Sequence, residues 1–395
     1  MSVSAEVAPE FLSRVLVMAL MKNNILMIAG TRPEAVKLAP VALAMAGHAS
    51  MTPQIVASGQ HPAMVGQALE PFDLPVDRQL SFARGDGGLA SVTGGMLGAL
   101  DGAISEFAPS AVVVQGDTAT TLAGALAAFW RGVPVVHVEA GLRTGNLRAP
   151  FPEEANRVLV SRIASLHLAP TEAAARALLA EGAPSERVVV TGNTVVDALH
   201  HIAAKELPIA DPDLREGVRD ARRLMLVTMH RRESWGDGID RVLTAVRKIV
   251  AAHLELWVVL PAHPNPAVRA QIEAALRDTP RVTITGPLAY SDLVWVMRRS
   301  ALIVTDSGGI QEEAPSFAVP VLVTREVTER REAVESGSAW LVGTDDARIV
   351  EMAERLLANK MELAARNPYG AGDAGCRTVR AIESFLGLPA AEMAA

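Results

Sequence analysis

From Asn24 onward, short runs that are apolar at nearly every position alternate with longer stretches in which apolar residues recur at helical spacing. The short runs are Ile25–Ile28, Ala111–Val114, Pro134–Val138, Leu224–Val227, Leu256–Leu260, Leu302–Val304 and Val319–Val323. A strand with one wet face alternates apolar and polar residues. An unbroken apolar run instead fits a strand covered on both faces, so the pattern predicts parallel sheets flanked by helices. It occurs twice, separated by a softer region from about Asp197 to Arg223 that carries Pro208, Pro212 and many charges. The expected class is α/β, with two doubly wound domains joined near residue 195. A length of 395 residues agrees with two domains at roughly 150 residues each.

Ligands of such sheets bind beyond the carboxyl ends of the strands, where strand order reverses. The residues following each run therefore carry the chemistry, and the site is expected between the two domains. After the first run comes Gly30-Thr31-Arg32-Pro33-Glu34-Ala35-Val36-Lys37, a glycine turn opening a helix, with Arg32 and Lys37 placed to suit a phosphate at its N-terminus. The second ends in Gln115-Gly116-Asp117-Thr118, where Asp117 either faces the crevice or merely caps the next helix. The third leaves Glu139 at the exit of a buried strand, a costly position that requires a partner or a task; Arg143 is a candidate structural partner. Pro152-Glu153-Glu154 then opens a helix with two acids complementing its dipole.

In the second half, Met229-His230-Arg231-Arg232-Glu233-Ser234 follows a strand, and Ala262-His263-Pro264 follows the next. The strongest local pattern is Thr305-Asp306-Ser307-Gly308-Gly309-Ile310-Gln311-Glu312-Glu313. It is a strand feeding a glycine turn whose free N–H groups, with Ser307, can cradle a phosphate while a glutamate one turn on can grip ribose hydroxyls; the alternative is an ordinary capped helix.

Composition narrows the field. Half of the residues are hydrophobic and 21% charged, the balance of a folded globular chain. Lysine and arginine total 37 against 44 acids, a net charge of −7, so no global basic field exists to hold a nucleic acid. The single cysteine, Cys376, has no second thiol for a disulfide or a metal cluster, which points to a reducing, cytoplasmic setting. No run approaches the ~18 apolar residues of a membrane-spanning helix. Residues 1–21, with Glu6 and Glu10 ahead of a short apolar stretch, read as an extension outside the fold, with Met21 a candidate start. No zinc spacing, P-loop lysine motif or nucleophile elbow is present, and the first glycine turn is not G-x-G-x-x-G, so neither a metal nor a nicotinamide cofactor is expected.

Taken in order, the segments Gly30–Lys37, Gly116-Asp117, His137–Gly145, Pro152–Arg157, Gly192–Thr194, His230–Ser234 and Thr305–Pro315 resemble the non-hydrolysing UDP-N-acetylglucosamine 2-epimerases over residues from about 24 to 385. The resemblance implies a GT-B fold: Rossmann-like domains over 22–195 and 196–377 facing across a cleft, with a last helix near 378–388 packing back on the first. It implies reversible C2 epimerisation of UDP-GlcNAc to UDP-ManNAc, by anti elimination of UDP to a 2-acetamidoglucal and syn re-addition, in a homodimer that uses no redox cofactor. By the same resemblance Arg32, Lys37, His230, Ser307, Gly308 and Gly309 surround the diphosphate. Glu313 holds the ribose with Arg330 close by, and Asp117, Glu139 and Glu153 act on the sugar with Arg157 near the last. Gln60, His61, Arg231 and His263 match a second, regulatory UDP-GlcNAc site, against which stand Pro62 and Ala63 in place of a polar pair and the unaligned Arg84–Gly88 stretch. A 2-epimerase of a UDP-diacetamido uronic acid and a GT-B glycosyltransferase are the competing readings.

Overall fold

The computed structural model describes residues 22–229, 236–358 and 367–389. The chain divides into two compact units, one reaching Thr194 and completed by the stretch from Asp373, the other spanning Val195–Gly372.

The first unit holds seven strands: β1 Asn23–Ala29, β2 Met51–Ala57, β3 Arg78–Gln79, β4 Ala111–Gln115, β5 Val135–Val138, β6 Leu166–Ala169 and β7 Val188–Val190. They lie in the order β3-β2-β1-β4-β5-β6-β7, all parallel. The second unit holds six: β8 Arg223–Thr228, β9 Leu256–Pro261, β10 Val282–Thr285, β11 Ser300–Thr305, β12 Val321–Val323 and β13 Ala339–Leu341, in the order β10-β9-β8-β11-β12-β13, again all parallel.

β4, β5 and most of β1, β8, β11 and β12 are buried at successive positions, because helices cover both faces. One such helix, Asp237–Ala252, turns Ile239, Val242, Leu243, Val246, Ile249 and Val250 inward at three- and four-residue spacing. Strand order reverses between β1 and β4 in one unit and between β8 and β11 in the other.

The last helix runs Ala374–Phe385 and packs on the Arg32–Met45 helix. A Cβ on Gly375 would lie 2.7 Å from the Pro40 carbonyl oxygen, so glycine permits the close approach. A buried His48–Glu383 contact of 3.1 Å and an Arg377 bond of 2.8 Å to the Val190 carbonyl fasten the helix to the first unit. Among the described residues no helix is long and apolar enough to cross a membrane.

Candidate active site

In the first unit the reversal between β1 and β4 brings the Gly30–Arg32 and Gly116–Thr118 turns side by side. Thr31 caps the Arg32–Met45 helix in a reciprocal arrangement: its hydroxyl accepts the Glu34 N–H, and the Glu34 carboxylate accepts the N–H groups of Gly30 and Thr31 at 2.8 and 2.7 Å. Pro33 contributes no N–H. The helix-terminal donors that the sequence offered to a phosphate are thus largely engaged. Gly30 is required by space, since a Cβ there would lie 2.0 Å from Thr120 Oγ1.

After β4, Thr118 and not Asp117 caps the following helix, accepting the N–H groups of Thr120 and Thr121. Asp117 instead meets Arg157 at 2.7 Å, and its carbonyl accepts from Asn156 at 2.8 Å. His137 Nε2 lies 2.7 Å from the Gly116 carbonyl. Burial, the largest influence, pushes the His137 pKa down to about 3. The ring is therefore neutral and Nε2 carries the proton that the carbonyl accepts.

β5 delivers Glu139 at φ 63°, a left-handed backbone that costs a glutamate energy and is held only where the surroundings impose it. Its carboxylate takes Lys37 Nζ at 2.8 Å and the Gln115 amide. Lys37 is thus the partner that burial demanded. Arg143 is not: it grips Glu181 at 2.7 and 2.9 Å and Ser161 at 2.7 Å. Arg157 lies one turn after Glu153 on the same helix. Deeply buried, it sits between Asp117 and Glu154, the latter at 3.4 Å, and makes no ion pair with Glu153. Glu154 is the buried acid of the pair, accepting the N–H groups of Thr144 and Gly145 at 2.9 and 3.0 Å. Glu153 is half-buried, opens the Glu153–Ile163 helix just after Pro152, and its side chain has no hydrogen bond to any described residue.

In the second unit, His230 and Arg231 lie outside the described residues. β11 is joined to β8 by Thr228 and Thr305, whose hydroxyls are 2.6 Å apart, and the Ser307 N–H donates to Thr305 Oγ1 at 2.9 Å. One donor expected for a phosphate is therefore used internally. Ser307 precedes the Gly308–Glu313 helix without capping it through its side chain. The first-turn N–H groups of Gly308 and Gly309 have no earlier helical carbonyl to bond. Arg330, bonded to Glu312 at 2.9 Å and to Glu329 at 2.5 Å, lies against Gly308, where a Cβ would come within 3.1 Å of its guanidinium carbon. Beside Gly309, a Cβ position is 3.9 Å from Ser307 Oγ and 4.0 Å from Glu313 Oε1. N–H donors, a hydroxyl, a guanidinium and a carboxylate thus lie around Gly308 and Gly309, which suits an anion with a hydroxyl-bearing group beside it.

Of the remaining residues, Gln60 accepts a hydrogen bond from Thr120 at 2.7 Å and His61 is exposed. Arg84 donates to the Gly59 and Gln60 carbonyls at 2.6 and 2.8 Å. His263 Nδ1 accepts the Asn265 N–H within its own turn. Among the described residues no group of three or more His, Cys, Asp or Glu forms a metal cluster. Sequence reasoning passed over Glu34, Gln115 and the Thr228–Thr305 pair. Only Glu34 had a readable signal, the Thr31-x-x-Glu34 spacing of a capping box.

The sequence model of the UDP-N-acetylglucosamine 2-epimerase family matches residues 43–383. The UDP-N-acetylglucosamine 2-epimerase of Escherichia coli (strain K12) is 42% identical over 378 residues, covering 91% of this chain and 98% of the relative. The crystal structure of UDP-GlcNAc 2-epimerase from Neisseria meningitidis bound to UDP-GlcNAc superposes with a TM-score of 0.84 at 38% identity, covering 91% of this chain and 100% of that one. The Methanocaldococcus jannaschii enzyme, crystallised with UDP-GlcNAc and UDP, gives a TM-score of 0.79 at 32% identity over 91% of this chain and 99% of its own.

Proposed function

The chain belongs to the UDP-N-acetylglucosamine 2-epimerase family, and from that premise we propose that it interconverts UDP-GlcNAc and UDP-ManNAc by inverting C2 of the sugar. The C1–O bond breaks first, UDP leaving with the bonding pair, because a C2 proton beside an anomeric centre is not acidic. A base then takes the C2 proton and the C–H pair becomes the C1=C2 bond of a 2-acetamidoglucal. Proton return to the opposite face of C2, with UDP oxygen re-adding at C1, completes the inversion with no change of oxidation state.

Two kinds of group are needed. Charge on the departing diphosphate is stabilised by Arg32, Lys37, His230, Ser307 and the N–H groups of Gly308 and Gly309, the electrostatic contribution that commonly dominates such catalysis. Glu313 and Arg330 take the ribose side. Asp117, Glu139 and Glu153 together supply the two proton transfers and face the oxocarbenium character at C1. The observation that carries this reading is the pairing of Glu139 with Lys37 at 2.8 Å beside Asp117 with Arg157 at 2.7 Å. Two carboxylates are fixed by cations at the end of one sheet, and Glu153 opens the helix that carries Arg157. Lys37 thereby joins the diphosphate-binding group to an acid.

A cytoplasmic homodimer without a cofactor goes with this reading. Pro62 and Ala63 argue against activation through Gln60, His61, Arg231 and His263, so turnover should follow a hyperbola in UDP-GlcNAc. The test is incubation with UDP-GlcNAc and no acceptor, followed by anion-exchange chromatography. UDP-ManNAc accumulates on the epimerase reading. An inert UDP-GlcNAc sample sends the assignment to the uronic-acid substrate, and turnover that requires an acceptor sends it to a transferase.

A further inference from the structure

Glu34 is 1% exposed and pairs with no described cation, yet it receives hydrogen bonds from two separate loops. Oε2 accepts from the Gly30 N–H, the Thr31 N–H and the Thr31 hydroxyl at 2.8, 2.7 and 2.9 Å. Oε1 accepts from the Thr118 hydroxyl at 2.5 Å and lies 3.1 Å from that of Thr121. Thr118 Oγ1 is already the acceptor for the Thr120 and Thr121 N–H groups, so its one proton is committed to Glu34. The Thr121 proton goes to the nearer Gln115 carbonyl, at 2.7 Å.

We infer that Glu34 is a positioning residue that locks the Gly30–Lys37 loop to the Gly116–Thr118 turn, so that the diphosphate-binding side chains and Asp117 act from one rigid frame. This rests on the epimerase reading above. The Gly30 and Thr31 N–H groups and the Thr31 and Thr118 hydroxyls all donate to Glu34, and an ionised carboxylate accepts all four. An amide accepts on one side only, because its NH2 can take neither the backbone N–H pair nor the Thr118 proton. Burial, the largest influence, pushes the Glu34 pKa above its ordinary value, and the hydrogen bonds from Thr118, Gly30 and Thr31 offset part of that rise. A capping box alone requires only the Thr31 contacts. The Thr118 bond, 84 residues away in sequence, is the feature that capping does not explain.

The test uses Thr118→Val, Thr118→Ser and Glu34→Gln in the full chain. Amide exchange at Gly30 and Thr31 and steady-state kinetics with UDP-GlcNAc are the readouts. Thr118→Val should accelerate exchange at Gly30 and Thr31 about tenfold. It should lower kcat about 10- to 100-fold, the usual cost of misplacing a reacting group by about 1 Å, with KM within threefold of the parent. Thr118→Ser, which keeps the hydroxyl, should restore both. Glu34→Gln should reproduce the kcat loss and, since it also frees the Arg32 loop, raise KM. A role confined to stability would lower the melting temperature and leave kcat and KM of the folded enzyme unchanged. Unchanged exchange at Gly30 and Thr31 in Thr118→Val, or a kcat within twofold of the parent, overturns the inference. A parent protein inert towards UDP-GlcNAc overturns the epimerase reading instead, and the exchange comparison still decides whether the loops are locked.

Discussion

Lowering the pH from 7 to 5 should remove about 4 kcal/mol of stability from the first unit, through two histidines buried on adjacent strands. His137 and His167 stand opposite each other in the β5–β6 register. Burial pushes their pKa values down to about 3 and about 4, and Arg143 adds to the depression of both. In the unfolded chain each titrates near 6.5, so between 6.5 and the folded values the unfolded state binds protons that the native state refuses. Stability is complete above 6.5 and is lost as pH falls towards the folded pKa. At pH 5 each unfolded imidazole gains about 2 kcal/mol from protonation, RT ln(1 + 10^1.5), against a few tenths at pH 7. Two such groups give about 4 kcal/mol, a large share of the roughly 5–15 kcal/mol typical of a folded protein. Glu34 works with the opposite sign, because its raised pKa makes acid relieve the cost of burying its charge. The comparison is therefore made between the parent and the His137→Gln/His167→Gln variant. Native-state amide exchange of β5 and β6, corrected for intrinsic rates, gives the opening free energy at each pH. The parent should lose the full increment and the variant much less. Equal slopes, or native-state titration of either ring near 6.5 by proton NMR, would refute the reasoning.

Asp117→Asn, Glu139→Gln and Glu153→Gln should each lower kcat by about 10²- to 10⁴-fold while UDP affinity by calorimetry stays within a few-fold; near-normal turnover in all three removes the acid–base assignment. Lys37→Met leaves the Glu139 charge buried without its cation and should cost about 3–5 kcal/mol in chemical denaturation. Adding Glu139→Gln should recover much of that, whereas strictly additive losses would mean that the two side chains are energetically independent. Ser307→Ala and Arg32→Ala should each weaken UDP binding about tenfold, equivalent to one hydrogen bond to a charged group, and unchanged dissociation constants would exclude them from the anion site.

The seven apolar runs each coincide with a strand, because burial on both faces leaves no polar interruption. β2 was harder to read, since Pro53 and Gln54 break its run, and β6 places His167 in the middle of a four-residue strand. β3 is two exposed residues and β10 alternates Val-Thr-Ile-Thr at a sheet edge, so neither carries the continuous pattern. In the site, residue types and strand ends were legible but partners were not. Glu139 announced that it needed a cation, and the nearest one in sequence, Arg143, went to Glu181 while Lys37, 102 residues away, took the position. Glu139 adopts a left-handed backbone, and nothing in Val-Glu-Ala-Gly specifies that turn. Arg157 likewise reaches Asp117, 40 residues away in sequence, as well as its helix neighbour Glu154. Such pairings depend on which strand ends the sheet order makes adjacent, a property of topology that short motifs do not contain.

The proposed chemistry is tested most directly by proton NMR of UDP-GlcNAc incubated with the protein in D2O. Elimination and re-addition predict growth of the UDP-ManNAc anomeric signal, with deuterium at C2 of the new sugar and, at equilibrium, of recovered UDP-GlcNAc. UDP-ManNAc that forms with protium retained at C2 in every turnover would contradict removal of the C2 proton to an exchangeable base, and the absence of any new sugar would contradict the activity itself.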